Sequence, residues 1–220
     1  MTARAEVILW RHARSEWNAQ GRFQGQLESD LDDVGRRQAA EAAVRLAELS
    51  PVRLVSSDSA RARDTAAALA ALTGLEVVVD ARLREVDLGR WSGLTRDEVS
   101  ERFPEQFADW QAGRDISRGG GETFAQVGER VAAVVREHLA AEPDPAGPLV
   151  FMTHGGTTLS ALVALLELPP EIRRRLGPVG NARWSRLTPA PGGAGWRLAE
   201  HNAGVDERTI AGFGDDVARE

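Results

Sequence analysis

Apolar residues gather in three short runs that alternate with longer segments of helical periodicity. The runs cover residues 7–10, 52–55 and 149–152. Each run is typical of a strand whose two faces are both buried in a parallel sheet. A shorter run at 76–79 predicts one further strand.

The segments between and after these runs place their apolar residues at helical spacing. They cover residues 34–49, 60–72, 122–142 and 157–168. Two segments near the end, 181–187 and 195–199, instead predict a hairpin or a sheet edge. Strands that alternate with helices pack as a sheet covered by helices on both faces. The pattern therefore predicts a three-layer α/β/α fold with a mainly parallel central sheet.

The segment at 95–121 departs from this alternation. Thr95 and Glu98 have the spacing of a helix-capping box, Pro104 interrupts the pattern, and a glycine-rich loop ends it. We interpret 95–121 as a small inserted cap segment over the sheet, within a single domain that spans residues 1–220. Only the last dozen residues are predicted to fray.

Composition and charge exclude several classes of function. The 220 residues include no cysteine, which excludes disulfides and thiolate nucleophiles, and all 27 basic residues are arginine. The net charge of −6 argues against nucleic-acid binding, although arginines can still dominate inside a cleft. The first strand begins within a few residues of Met1, and no apolar run approaches the ~20 residues that cross a bilayer. We therefore expect a cytoplasmic protein with no membrane or nucleic-acid partner.

Charged side chains follow each of the three buried runs. Arg11 and His12 follow the first, Arg61 comes shortly after the second, and His154 follows the third, with two glycines between it and the next helix. Taken singly, such a histidine is more often a core or capping residue, and such an arginine a solvated charge. Ligands of parallel sheets bind beyond the carboxyl ends of the strands, so the fold brings these residues together. With the N–H groups of a helix start, they predict a pocket for a dianion, most naturally a phosphate monoester.

The residue inventory narrows the phosphoryl chemistry. Cysteine-based phosphatases are excluded, no Asp-x-Asp pair ends a strand, and His138 and His201 lack close partners for a metal. What remains is attack by an imidazole nitrogen on phosphorus, followed by hydrolysis of the phosphohistidine. Glu85 is the candidate that protonates the leaving group. Its alternative is a surface role, paired with Arg82 or Arg84.

Several motifs resemble those of the histidine phosphatases, the phosphoglycerate mutase-like superfamily. Arg11-His12-Ala13 resembles the Arg-His-Gly signature, and Thr153-His154-Gly155-Gly156 resembles the motif of the second histidine. The other matching stretches are Ser15-Glu16-Trp17-Asn18, Gly21-Arg22-Phe23-Gln24-Gly25, Val55-Ser56-Ser57-Asp58 with Arg61-Ala62, Leu83-Arg84-Glu85 with Gly89-Arg90-Trp91-Ser92-Gly93, and Gly121-Glu122-Thr123. These motifs follow one another in the family's order over most of the chain.

The resemblance implies a role for each matching residue. His12 is implied as the nucleophile, Glu85 as the proton donor, and Arg11, Arg61 and His154 as the residues that hold the phosphoryl oxygens. The implied substrate-binding residues are Asn18, Arg22, Phe23, Gln24 and Gly155. No metal and no organic cofactor is implied.

The resemblance leaves the substrate open. The short interval from Glu85 to Gly121 and the absence of lysine favour hydrolysis over mutase-type transfer, because mutases of this family carry a longer insertion. We expect small phosphorylated substrates of the sugar phosphate or phosphoglycerate type, and a homodimer is one expectation for assembly. The candidates for contact with the non-phosphate part of the substrate, each with a surface or packing role as its alternative, are Arg22, Phe23, Trp91, Arg114 and Arg118.

Two residues depart from the family pattern. Ala13 replaces the usual glycine, and we expect it either to crowd the phosphate-facing backbone or to resist the required φ. Arg14 stands where glutamate or glutamine is common, and we expect it to add positive charge beside the pocket. The alternatives to a hydrolase are therefore mutase-type transfer and a weakly active phosphate-binding regulatory protein.

Overall fold

The chain forms a six-stranded mixed sheet. The computed structural model describes residues 5–142, 144–192 and 195–204. The strands are β1 (Val7–Arg11), β2 (Arg53–Ser56), β3 (Val77–Val79), β4 (Leu149–Thr153), β5 (Trp184–Pro189) and β6 (Trp196–Ala203). Their order across the sheet is β3-β2-β4-β1-β5-β6. The first four in this order are parallel, and β5 and β6 are antiparallel to their neighbours. The predicted mainly parallel sheet is confirmed.

Helices connect the strands. The α-helices are α1 (Glu16–Ala19), α2 (Asp33–Ala47), α3 (Ala60–Thr73), α4 (Arg96–Arg102), α5 (Pro104–Gln111), α6 (Phe124–Ala141) and α7 (Gly155–Leu165). Short 3-10 helices cover Ala81–Leu83, Gly89–Trp91, Arg118–Gly120 and Pro170–Arg175. The four predicted long helices are confirmed as α2, α3, α6 and α7.

The two faces of the sheet bury two separate apolar clusters. Alternate residues of a strand point to opposite faces, and in β1 the side chains of Ile8 and Trp10 pack with α2 and α3. Those of Val7 and Leu9 pack with α6 and α7. Because both faces are covered, the four residues before Arg11 are all apolar, which explains the continuous apolar run at 7–10. The predicted three layers are confirmed.

Of the predicted boundaries that were wrong, two lie near the site described below. Helix α7 begins at Gly155 rather than at residue 157, because His154 is its extended N-cap residue and follows β4 directly. Strand β5 begins at Trp184 rather than at residue 181. Residues 180–183 form a turn instead, with Ala182 at a φ of +57°. Both changes bring main-chain N–H and C=O groups to the carboxyl edge of the parallel strands.

Residues 95–121, which the sequence predicts as a cap segment, contain α4 and α5, which join at Phe103. Thr95 and Glu98 form the predicted capping box at the start of α4. The ring of Trp110, from α5, packs edge-on against Phe23 at 5.7 Å and Trp91 at 5.9 Å between centroids. This aromatic cluster fixes the cap segment against the loop after α1. The predicted frayed end lies outside the described residues.

Within residues 5–142, 144–192 and 195–204, no helix is long and apolar enough to cross a membrane.

Candidate active site

A cavity of about 350 Å³ opens beyond the carboxyl ends of the parallel strands. Nine of the ten predicted site residues line it: Arg11, His12, Asn18, Arg22, Phe23, Gln24, Arg61, Glu85 and Gly155. The tenth, His154, packs against His12 with 5.0 Å between the ring centroids. The fold thus brings together residues that are separated by most of the chain, as the strand-end argument predicted.

His12 follows β1 and is almost fully buried. Its Nδ1 lies 2.7 Å from the main-chain oxygen of Ala13. A carbonyl oxygen can only accept, so Nδ1 carries the ring proton and the lone pair lies on Nε2. Burial, and then the charges of Arg61 and Arg11, hold the pKa of His12 well below its ordinary value of 6.5. The ring is therefore neutral near pH 7, as a nucleophile requires.

His154 follows β4 and is completely buried. Its Nε2 lies 3.0 Å from Ser57 Oγ, at the end of β2. Burial is the largest cause that lowers its pKa well below 6.5, followed by the charge of Arg61. The neutral imidazole rings of His12 and His154 consequently lie next to each other, close to two arginines.

Main-chain carbonyl groups hold the two arginines in place. Arg11 donates from Nη1 to Val179 O at 2.6 Å. Arg61, at the start of α3, donates from Nη1 to Leu27 O at 2.7 Å and from Nη2 to Gly25 O at 2.9 Å. Burial lowers the pKa of Arg61, but guanidinium remains charged because its ordinary pKa is so high. These anchors fix two cations beside His12.

Glu85 lies at the N-terminus of α7. Its carboxylate accepts hydrogen bonds from Gly156 N at 3.1 Å, from Thr157 N at 3.0 Å and from Thr157 Oγ1 at 2.9 Å. A Cβ on Gly156 would lie 3.0 Å from Glu85 Oε1, so the second glycine of the motif makes room for this carboxylate. The helix start binds the side chain that the sequence assigned to proton transfer.

The alternative role for Glu85, a surface ion pair, is not what the structure contains. Arg82 pairs with Asp80 and Glu137. Arg84 pairs with Asp58 at 2.6 Å. Both arginines thus have other acidic partners, and Glu85 faces the cavity.

Several cavity residues are held by the cap segment. Arg22 donates to Gly93 O at 2.8 Å, and its ion pair with Glu98 measures 3.4 Å. Phe23 packs against Trp91 and Trp110. These two residues therefore have structural contacts as well as a place on the cavity wall.

Two of the further sequence candidates do not line the cavity, and neither does Arg14. Arg114 is exposed and pairs with Asp109. Trp91 is fully buried in the aromatic cluster and does not line the cavity. Arg14 forms a 2.8 Å ion pair with Asp32. Asp32 faces the Arg14 guanidinium and offsets the positive charge that we expect from Arg14.

Sequence reasoning missed the outer wall of the cavity. This wall includes Arg96, Trp110, Phe124, Arg173, Arg174 and the segment 177–179, together with the predicted candidate Arg118. The guanidinium carbons of Arg118 and Arg173 lie 4.2 Å and 3.4 Å from the centroid of the Phe124 ring. The signal that could have found this wall is the run of three arginines, 173–175, after the end of α7.

Residues 7–204 match the model of the Histidine phosphatase superfamily (branch 1). The chain belongs to this superfamily. It is 40% identical over 215 residues to glucosyl-3-phosphoglycerate phosphatase of Mycobacterium tuberculosis, covering 92% of this chain and 96% of that relative. It is 38% identical over 155 residues to a metal-independent phosphoserine phosphatase of Arabidopsis thaliana, covering 69% of this chain and 64% of that relative.

A solved structure of the mycobacterial glucosyl-3-phosphoglycerate phosphatase in complex with VO3 superposes with a TM-score of 0.85. The two chains are 38% identical, and the match covers 90% of this chain and 99% of the other. This histidine phosphatase therefore has the predicted fold, and the predicted class of enzyme, a phosphatase, is confirmed.

Proposed function

We propose that this histidine phosphatase transfers the phosphoryl group of a small phosphomonoester to Nε2 of His12 and then to water. A group of buried donors around His12 carries the proposal. Among the described residues, Nε of Arg11, Nε of Arg61 and Nδ1 of His154 have no hydrogen-bond partner. A buried donor left unpaired costs about 1–3 kcal/mol. The oxygens of a phosphoryl group satisfy all three.

The hydrogen bond between His154 and Ser57 accommodates the tautomer that this role needs, because a hydroxyl group can donate as well as accept. When the Ser57 hydroxyl donates to Nε2, the proton of the neutral ring lies on Nδ1. Nδ1 is then a donor, and the unpaired atom can serve a phosphoryl oxygen. His154 acts in this scheme as a neutral donor, and the two arginines supply the positive charge.

The first step transfers the phosphoryl group from the ester oxygen of the substrate to Nε2 of His12. The lone pair on Nε2 of His12 attacks phosphorus, and the bond from phosphorus to the ester oxygen breaks with its electron pair on that oxygen. Protonated Glu85 gives its proton to this oxygen, so an alcohol leaves. The products are phosphorylated His12 and the Glu85 carboxylate.

The second step regenerates the enzyme. Glu85, now ionised, takes a proton from a water molecule as the water oxygen attacks phosphorus. The bond between phosphorus and Nε2 breaks, and its electron pair returns to the ring. Inorganic phosphate leaves, and Glu85 is again protonated. Arg11 and Arg61 hold the phosphoryl oxygens through both steps.

A trapping experiment tests the assignment of the nucleophile. The protein is mixed with a 32P-labelled aryl phosphate in the presence of a chelator and quenched in alkali, where phosphohistidine survives. We expect label on the wild-type protein and on a peptide that contains His12, with loss of the label in acid. His12→Ala is expected to lose label and turnover together. Full turnover in that variant, or turnover that the chelator abolishes, would contradict the proposal.

We further propose that the substrate carries a second anionic group, as a phosphoglycerate derivative does. Seven arginines line the cavity, and Glu85 is the one acidic residue among the described lining residues. Arg11 and Arg61 suffice for the phosphoryl group. Arg118 and Arg173, stacked on Phe124, place further positive charge on the outer wall. The substrates in the names of the two relatives, glucosyl-3-phosphoglycerate and phosphoserine, each contain a carboxylate beside the phosphate.

A matched pair of esters tests this substrate class. 3-Phosphoglycerate and glycerol 3-phosphate differ by a carboxylate in place of a hydroxymethyl group. We expect kcat/KM to be at least about tenfold higher for the carboxylate, because a charge-assisted contact contributes about 1.5–3 kcal/mol. Arg173→Ala is expected to reduce this preference and to leave hydrolysis of glycerol 3-phosphate nearly unchanged. Equal values for the two esters in the wild-type protein would contradict the second anionic group.

We also propose that the protein is cytoplasmic and that it forms a homodimer. The absence of cysteine supports a cytoplasmic location. The expected homodimer has a direct test, since the chain mass is 23.8 kDa. Light scattering of the eluted protein that gives this mass, rather than twice it, would contradict the dimer.

A further inference from the structure

The amide of Asn18 is held in one orientation. Its Oδ1 accepts hydrogen bonds from Ser15 N, Ser15 Oγ and Asn181 Nδ2, each at 3.1 Å. An amide oxygen has two lone pairs, so this atom is fully occupied. The NH2 group of the same amide is left for the cavity, which Asn18 lines.

Asn181 contacts the nucleophile as well as Asn18. It lies in the turn before β5, and its Nδ2 also donates to the main-chain oxygen of His12 at 3.2 Å. One NH2 group therefore bridges two acceptors, the main-chain oxygen of the residue that follows β1 and the side-chain oxygen of a residue in α1. The opposite orientation of the Asn181 amide would place its oxygen against both acceptors, so the NH2 group is fixed toward them.

Packing alone does not explain an asparagine at this position. Asn181 is only 5% exposed and does not line the cavity. Its Oδ1 has no hydrogen-bond partner among the described residues. A buried polar group without a partner costs about 1–3 kcal/mol, and an apolar side chain would avoid that cost. What the asparagine contributes is the NH2 donor.

We propose that Asn181 is a positioning residue for phosphoryl transfer. It fixes the Asn18 amide so that the NH2 group, rather than the oxygen, meets the phosphoryl oxygens, and it ties the His12 carbonyl to the turn before β5. The inference rests on the proposed function, since it needs Asn18 to bind the phosphoryl group. Without this donor the Asn18 amide can turn its oxygen toward the anion, which weakens binding electrostatically.

A double-mutant cycle tests whether Asn181 acts through Asn18. Calorimetry with inorganic phosphate gives Kd for the wild type, Asn18→Ala, Asn181→Ala and the double variant. We expect Asn181→Ala to weaken binding about tenfold in the wild type. In the Asn18→Ala background we expect less than about a twofold effect, because the coupled partner is already absent. An equal loss in both backgrounds would assign Asn181 a purely structural role and overturn the proposal.

Two further variants test the proposal more closely, one at Asn181 and one at Asn202, a residue of β6 that contacts the same turn. Asn181→Asp places an oxygen opposite Asn18 Oδ1 and is expected to bind phosphate more weakly than Asn181→Ala. The matched control is Asn202→Gly: Asn202 accepts from Gly180 N at 2.8 Å and has a φ of +53°, which glycine adopts without strain. We expect this control to bind within about twofold of the wild type. A loss equal to that of Asn181→Ala would assign the effect to the turn as a whole.

The outcome is separable from the proposed function. His12→Ala, measured beside these variants for turnover of an aryl phosphate, reports on the nucleophile. If His12→Ala is inactive while the effects at Asn18 and Asn181 are additive, the phosphohistidine route stands and the positioning role fails. If His12→Ala retains turnover, the proposed function itself fails.

Discussion

Ala13, directly after the nucleophile, fits its position without strain. It is fully buried in the apolar cluster that contains Ile8 and Trp10. It is not among the described residues with positive φ, and its N–H donates to Thr65 Oγ1 at 3.1 Å. The methyl group therefore packs into the core and does not line the cavity. The alternative of a weakly active phosphate-binding protein loses the observation that suggested it.

Restoring glycine at position 13 is therefore expected to bring no gain in activity. For Ala13→Gly we predict kcat/KM within about twofold of the wild type. We also predict a free energy of unfolding lower by about 1 kcal/mol, because a buried methyl is lost and the unfolded chain gains freedom. Steady-state kinetics and urea denaturation measure the two effects. A large rise in kcat/KM would instead support the expectation that alanine impairs the phosphate-facing backbone.

Residues carried by short motifs could be predicted, whereas residues brought in by the path of the chain could not. Arg11 and His154 are identified by their place after a buried strand. Arg173 and Arg174 do not follow a buried strand, and their place on the cavity wall depends on where the chain turns after α7. The sequence predicts Asn181 only as part of the segment 181–187, since its role depends on contact with Asn18, far away along the chain.

At the scale of elements, one hydrogen bond joins the loop after β1 to helix α3. Thr65, on α3, accepts from Ala13 N through Oγ1 and donates from the same oxygen to Arg61 O at 2.7 Å. Thr65 is fully buried. The same helix carries Arg61 into the cavity, so this bond fixes the distance between the nucleophile loop and one of the two cations.

Thr65→Val tests this link with almost no change in shape. We predict a loss of about 1–3 kcal/mol in the free energy of unfolding, because the Ala13 N–H is left buried without an acceptor. We also predict a lower kcat, since the loop that carries His12 is no longer tied to α3. Urea denaturation and steady-state kinetics measure both, and Thr65→Ser is expected to recover most of each.

Thr73 provides the control on the same helix. Its Oγ1 donates to Leu69 O at 2.9 Å, as that of Thr65 does to Arg61 O, but it makes no bond to the β1 loop. Thr73→Val is expected to change kcat very little. If the two valine variants lose kcat equally, the link between Thr65 and Ala13 does not position the nucleophile.

The type and order of the elements were predictable, and their ends were less so. The long helices and buried strands have strong periodicity, which local sequence determines. The start of α7 at Gly155 depends on the Glu85 carboxylate, which accepts from the N–H groups of Gly156 and Thr157. The start of β5 depends on a turn that Asn181 and Ala182 anchor to His12. Both ends are set by contacts with distant segments.

At the scale of the whole molecule, the sign of the charge in the cavity is opposite to the sign of the net charge of the chain. The chain has a net charge of −6, yet the described residues that line the cavity include seven arginines and one glutamate. A local cluster of arginines can dominate inside a cleft of an acidic chain, because the field inside a low-dielectric cavity reflects its own walls. The number of arginines could not be predicted from the sequence, since several come from the cap segment and from the segment after α7.

The two buried histidines make stability depend on pH, and this dependence can be measured. The pKa values of His12 and His154 lie well below 6.5 in the folded chain, with burial as the largest cause. Below pH 6.5 the unfolded chain therefore binds protons that the folded chain does not, and the free energy of unfolding falls as pH decreases, by up to about 1.4 kcal/mol per pH unit for each ring. Urea denaturation from about pH 7.5 to pH 5 gives this slope.

We predict a shallower slope in His12→Gln and in His154→Gln, whatever their stability at pH 7.5. Ser56→Ala, a buried residue beside the site that does not titrate, is expected to keep the wild-type slope. Equal slopes in all four proteins would mean that both rings take up protons inside the folded site, and neutral His12 would then no longer be available as the nucleophile in mild acid.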